Sequence, residues 1–299
     1  MVKYGKDDER IVVLDADLSG STKSGIFGKA CPERFLNVGI AESNMVGMAA
    51  GLASVGKIPF VNTFTVFLTT LGLCAARAFG SYSQLPIKFA GAYGGMSDAF
   101  DGPSHHALED IAVMRSLANV QVFVPCDAVQ TEWLVKYAID TPKPIYLRLS
   151  RDKFKDLYTS ETEFAPGKGI VVREGTDITV IACGLMVGNA IDAAEELAKE
   201  GISVRVVDMF SIKPIDEALI VRCAKETGAI VSAEEHNIYG GLGSAVAEVL
   251  TKHGCGVTQG FVGVNDCHGE CGPYKKLLAK YGLDANAIAN KVRETLAKK

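Results

Sequence analysis

Short runs of β-branched and apolar residues alternate along this chain with longer segments of helical period, and that alternation admits few folds. Strands are expected at Ile11–Leu14, Pro59–Asn62, Ile87–Ala90, Val120–Val124 and Ile145–Arg148, with helices over 41–55, 68–83, 107–117 and 127–139. The strands are apolar throughout, as expected for a parallel sheet covered on both faces. The polar stretch Asp152–Gly169 then carries Pro166, Gly167 and Gly169, a linker composition. Alternation resumes with strands near 178–182, 203–207, 228–233 and 257–262, and helices near 187–200, 215–225, 241–252 and 284–297. The expectation is an α/β chain of two domains with mainly parallel sheets, 1–155 and 169–299, joined by a linker over 156–168.

Composition supports two cores: 299 residues, 48% hydrophobic, are enough to bury both. The formal net charge of -4 argues against a nucleic-acid or polyanion partner. No apolar run approaches the roughly 18–20 residues that a membrane span needs. Most of the eight cysteines sit in apolar runs, as Cys183 does in ITVIACGL, and read as small buried hydrophobes. With no secretory signal ahead of the first strand, a reducing, cytoplasmic setting is expected. Cys255, Cys267, His268 and Cys271 cluster near the C-terminus, but their spacing matches no paired CxxC pattern. They are expected to be thiols in a Gly-rich loop, and no metal site is assigned to this chain.

Ligands of open α/β sheets bind at the carboxyl ends of the strands, and three segments put reactive residues there. In the first, Glu42 opens a helix made almost wholly of Gly, Ala, Met, Val and Leu. A carboxylate in a first helical turn is ordinarily a partner of the helix dipole. If both faces of that helix are buried, desolvation favours its protonated form, suited to hydrogen-bonding a ring nitrogen of a bound heterocycle. In the second, Phe64 and Phe67 follow a strand directly; they are either core or a wall on which a flat ring stacks. In the third, Asp98, Asp101, His105 and His106 share a strand-end loop with the tight-turn run Asp-Gly-Pro-Ser. Such imidazoles and carboxylates move protons and bind hydroxyls, or they cap the following helix.

Taken in order, these segments resemble the pyrimidine-binding domain of transketolases. The resemblance rests on LDADLSGST at 14–22, GIAESNMVGMAAGLA at 39–53, DGPSHH at 101–106, RSLANVQVFVPCDA at 115–128 and YLRLSR at 146–151. AEEHNIYGGLGSAVAEV at 233–249 extends it to the family's C-terminal domain. It implies two-carbon ketol transfer from a ketose phosphate to an aldose with thiamine diphosphate as electron sink. By the same resemblance, Glu42 contacts the cofactor's aminopyrimidine, Phe67 stacks on it with Phe64 close by, and Asp17 lies near the cofactor. Ser21 and Arg151 face the sugar-phosphate end of the substrate, and Asp101 and His105 face its hydroxyls and the proton transfers.

Several positions depart from the family. Tyr93 stands where many transketolases carry His, and the customary Gly-Glu-Asp-Gly reads Ala99-Phe-Asp-Gly102. Tyr93 is therefore a candidate substrate contact, with the natural donor and acceptor left open. The family's Gly-Asp-Gly metal motif is missing from the sequence. Since a diphosphate needs hard oxygen ligands through a divalent ion, the resemblance implies that Mg²⁺ or Ca²⁺ is held by a separate N-terminal, diphosphate-binding subunit. An α₂β₂ assembly is expected, with dimer contacts of this chain through the Glu42 helix. The alternatives are the β subunit of a 2-oxoacid dehydrogenase, a deoxyxylulose-phosphate synthase-like subunit, or a non-catalytic regulatory subunit of the same fold.

Overall fold

The computed structural model describes residues 1–299. Twelve strands form two sheets: β1 (Ile11–Asp15), β2 (Phe35–Asn37), β3 (Ile58–Phe64), β4 (Lys88–Ala92), β5 (Gln121–Phe123), β6 (Ile145–Arg148), β7 (Ile170–Arg173), β8 (Ile178–Ala182), β9 (Val204–Asp208), β10 (Ser211–Lys213), β11 (Ala229–Asn237) and β12 (Thr258–Val264). The first sheet has the order β10-β5-β6-β4-β3-β1-β2 and the second β12-β11-β8-β9-β7. Both are parallel apart from β10 on β5 and β7 on β9. Every residue of β1, β4, β6, β8 and β9 is buried, as strands of a parallel sheet covered on both faces are.

The two sheets are not independent. β10 follows the second sheet's β9 in sequence yet adds itself to the edge of the first. One apolar core runs from Leu14, Val61 and Phe89 through Val124 to Ile181, Val207 and Leu242, so side chains of both units pack together. Between β6 and β7 there is neither helix nor strand.

Register brings the functional loops together. Asp15 pairs with Asn62, Phe64 with Ala92 and Gly91 with Arg148, so the carboxyl ends of β1, β3, β4 and β6 lie side by side. The expected helix over 68–83 is broken in the structure. Thr65–Thr69 ends first, then Leu73–Ala75 runs into a wider π-helical turn at Ala76–Tyr82. A Cβ on Gly72, between the two pieces, would press on the Leu68 carbonyl. No helix is long and apolar enough to cross a membrane.

Candidate active site

Glu42 is the first residue of the helix Glu42–Ser54 and is only 3% exposed. One face of that helix, carrying Met45, Val46, Ala49, Ala50 and Ala53, is buried; Ser43, Asn44, Met48 and Gly51 are exposed. The expectation of burial on both faces therefore holds for the carboxylate but not for the whole helix. Inside the chain its carboxylate accepts one side-chain hydrogen bond, from Thr63 Oγ1 at 3.2 Å. Thr63 belongs to β3 and is fully buried, so the strand fixes where the carboxylate lies.

The next residue of β3 starts an aromatic cluster. Phe64 stacks on Tyr93 with ring centroids 4.5 Å apart and on Phe67 at 5.9 Å. The His105 ring stands edge-on to Phe67 at 5.3 Å and to Phe64 at 6.0 Å. Ser104 Oγ lies 3.0 Å from His105 Nδ1 and orients the imidazole. Phe64 is buried, whereas Phe67 and His105 stay half-buried, so the cluster has a reachable side.

Tyr93 directly follows β4 and has φ +61°, a left-handed conformation that costs a bulky residue of order 1–2 kcal/mol. Its surroundings hold it there. Phe64 covers one side, its hydroxyl donates to the Ser21 carbonyl at 3.4 Å, and the Arg151 guanidinium sits 5.2 Å from its ring centroid. Arg151 in turn donates from Nη1 to Asp98 Oδ1 at 2.8 Å. Asp98 is fully buried and its Oδ2 has no partner. Burial first, and the neighbouring Asp101 carboxylate second, push the Asp98 carboxyl above its ordinary range, against the pull of Arg151. Asp101 itself is exposed at the rim.

Phe64, Phe67, Tyr93, His105, Arg151 and the Ser21 carbonyl are thus linked by direct contacts, with Asp101 next to Asp98, while Glu42 touches Thr63, the strand residue before Phe64. Asp17 is not drawn in: it is exposed, has φ +64°, and its Oδ1 accepts from Asn37 Nδ2 at 2.8 Å. The sequence pointed to none of Thr63, the Asp98–Arg151 pair or the burial of His106. Thr63 lies in the aromatic segment and Asp98 in the histidine loop, but only the fold shows what each one touches. His106 is 4% exposed with neither ring nitrogen hydrogen-bonded, and burial lowers its pKa.

These residues suit a pyrimidine ring: a buried carboxylate with one internal partner can take a ring nitrogen, and Phe67 offers a partly open aromatic face. No group of three or more His, Cys, Asp or Glu side chains is arranged to hold an ion; Cys267 and Cys271 are exposed free thiols.

Comparison with known proteins identifies the family. The family described as transketolase, pyrimidine binding domain, matches residues 1–156, and transketolase, C-terminal domain, matches 167–288. The putative transketolase C-terminal section of Methanocaldococcus jannaschii is 41% identical over 300 residues, covering 100% of this chain and 94% of that protein. The 6-deoxy-6-sulfo-D-fructose transketolase subunit SqwH of Clostridium sp. is 38% identical, covering 100% of this chain and 92% of its own length. A solved structure described as a split gene transketolase, inactive beta4 tetramer, superposes with a TM-score of 0.89 at 48% identity, covering 99% of this chain and 95% of that one. This chain belongs to the transketolase family and joins that family's pyrimidine-binding domain to its C-terminal domain.

Proposed function

We propose that this chain is the pyrimidine-binding subunit of a two-chain transketolase, transferring a two-carbon ketol unit from a ketose phosphate to an aldose with a separate diphosphate-binding subunit. The observation that carries this is the buried Glu42 carboxylate, whose one hydrogen bond inside the chain comes from Thr63, the residue that precedes Phe64 of the Phe64–Phe67–Tyr93 cluster. When bound, thiamine diphosphate supplies the electron sink for breaking a carbon–carbon bond next to a carbonyl. This chain's residues do the rest of the work on their side of the site. Glu42 would hold a nitrogen of the pyrimidine and share a proton with it, and Phe67, with Phe64 behind it, would give the ring a face. His105, oriented by Ser104, moves protons at substrate hydroxyls, with Asp101 beside it. Arg151, Ser21 and Tyr93 receive the distal end of the sugar, and Asp17 remains a candidate at the cofactor's edge.

Assigning Mg²⁺ or Ca²⁺ and the diphosphate to the partner subunit follows the family resemblance, because the Gly-Asp-Gly motif is missing from this sequence. Self-association within an α₂β₂ enzyme is part of the same reading. Ile40, Met48, Leu71, Phe79 and Tyr82 are all exposed, at 36–85%, and lie on or beside the Glu42 helix and the helical segment that packs against it. An apolar face of that kind marks an interface. The boundaries 1–155, 156–168 and 169–299 are supported by the two family matches and by the strand-free connection after β6. Eight free thiols suit a cytoplasmic, reducing setting.

Glu42→Gln assayed with the diphosphate-binding subunit tests the proposal. Loss of ketol transfer in a chain that still folds and assembles is expected; near-wild-type turnover would contradict it.

A further inference from the structure

Glu235 belongs to the second unit, but its carboxylate reaches into the first. Oε1 accepts the Met96 amide at 2.7 Å and the Tyr274 hydroxyl at 2.9 Å. Met96 lies between Tyr93 and Asp98, the two residues that hold Arg151 from either side. The approach is close: Gly95 has φ +70°, and a Cβ there would overlap the Glu235 carboxylate. The Glu235 carbonyl also accepts from Arg148 Nη2 at 2.9 Å, and Arg148 is anchored by Asp110 at 2.8 Å.

A second strap lies further along the loop. The Gly272 amide donates to the Ala99 carbonyl at 3.1 Å. The 94–99 turn is therefore held at Met96 by Glu235 of β11 and at Ala99 by Gly272, which follows β12. A carboxylate 3% exposed is costly to bury unless its hydrogen bonds offset the lost hydration. An apolar side chain would fill the same space, but could not fix a backbone N–H.

We propose that Glu235 is a positioning residue: from the second unit it sets the Gly94–Asp98 turn, and with it the placing of Tyr93 and Arg151, without touching substrate. This rests on the reading of Tyr93 and Arg151 as substrate contacts. Glu235→Ala and Glu235→Gln, each assembled with the diphosphate-binding subunit, separate the two ideas, because glutamine keeps an oxygen for both donors.

Losing a buried hydrogen bond predicts that Glu235→Ala speeds amide exchange at 95–98 and raises KM for the sugar substrates, each about tenfold. The same change should leave kcat within about threefold and thiamine diphosphate affinity unmoved. Glu235→Gln should match wild type in all of these. Tyr274→Phe, which removes one of the two donors, should show the same pattern in smaller measure and serves if the alanine variant does not fold. Unchanged amide exchange in both Glu235→Ala and Tyr274→Phe would overturn the clamp, as would a folded Glu235→Gln that loosens as much as the alanine variant. A loosened turn with unchanged KM would overturn its role in substrate placement. If the assembled wild type transfers no ketol unit, the site reading fails, and amide exchange alone still decides the clamp.

Discussion

Both units place a buried glutamate at the start of a small-residue helix, and the two carboxylates are used differently. Glu234, 1% exposed, accepts from the Leu242 and Gly243 amides at 2.7 and 2.8 Å, so both oxygens are taken by the helix Leu242–Lys252. A Cβ on Gly241 would overlap that carboxylate, so the helix can approach it only through glycine. Glu42, 3% exposed, accepts one side-chain hydrogen bond, from Thr63. The same residue type therefore completes a cap in the second unit and keeps bonding capacity for a ligand in the first. Burial alone does not mark a functional carboxylate; what matters is how many of its acceptor sites the protein already fills.

The comparison breaks most readily through substitution of the two residues. Removing a proton-transfer group typically costs about 10²- to 10⁴-fold in rate, and Glu42→Gln should fall in that range when assayed with the partner subunit. Its thermal midpoint should stay close to wild type, because only one internal hydrogen bond changes. Glu234→Gln should reverse the pattern. Its amide NH₂ would face one of the two helix N–H groups, costing about 3 kcal/mol of stability in denaturant unfolding. Turnover per folded molecule should hardly change.

The pH dependence of stability sharpens the contrast from the second unit. Burial pushes the Glu235 carboxyl up to about 7 and that of Asp208 up to about 6. Between each ordinary carboxyl value and its raised one, the unfolded chain has released a proton that the folded chain keeps. Stability is thus fully present at the acid end of that window and falls as pH rises through it. Glu235→Gln should flatten the slope from about pH 4.5 to about pH 7, a difference on the order of 1–3 kcal/mol across the window, read from urea midpoints at several pH values. The smallest effect is expected at Phe67→Ala. An aromatic stack is worth about 0.5–1.5 kcal/mol, so thiamine diphosphate binding to the assembled enzyme should weaken roughly 3- to 10-fold.

How much of this could be read in the residues follows from how local each signal is. Continuous apolar runs announced β1, β3, β4 and β6, because a strand buried on both faces leaves a mark in its own residues. β2 and β10 left none: each is three residues long, and β10 exists as a strand because β5 lies beside it. The helix expected over 68–83 is split near Gly72, where a backbone approach that composition does not encode intervenes. At the site, Glu42, Phe64, Phe67 and His105 stand in segments whose composition is itself unusual. Asp98 gripping Arg151 and Glu235 gripping Met96 join residues 53 and 139 positions apart, and no local pattern records such a pairing. Tyr93 shows the middle case: its place in the loop was legible, but its left-handed backbone and its stack on Phe64 were not.

The central claim is that this chain holds the pyrimidine side of a site completed by another subunit. The most direct measurement is ketol transfer by the purified chain with thiamine diphosphate and Mg²⁺, alone and after addition of the diphosphate-binding subunit. The account predicts no turnover from the chain alone, turnover on mixing, and loss of that turnover with Glu42→Gln. Tight cofactor binding and turnover by the chain alone would contradict it.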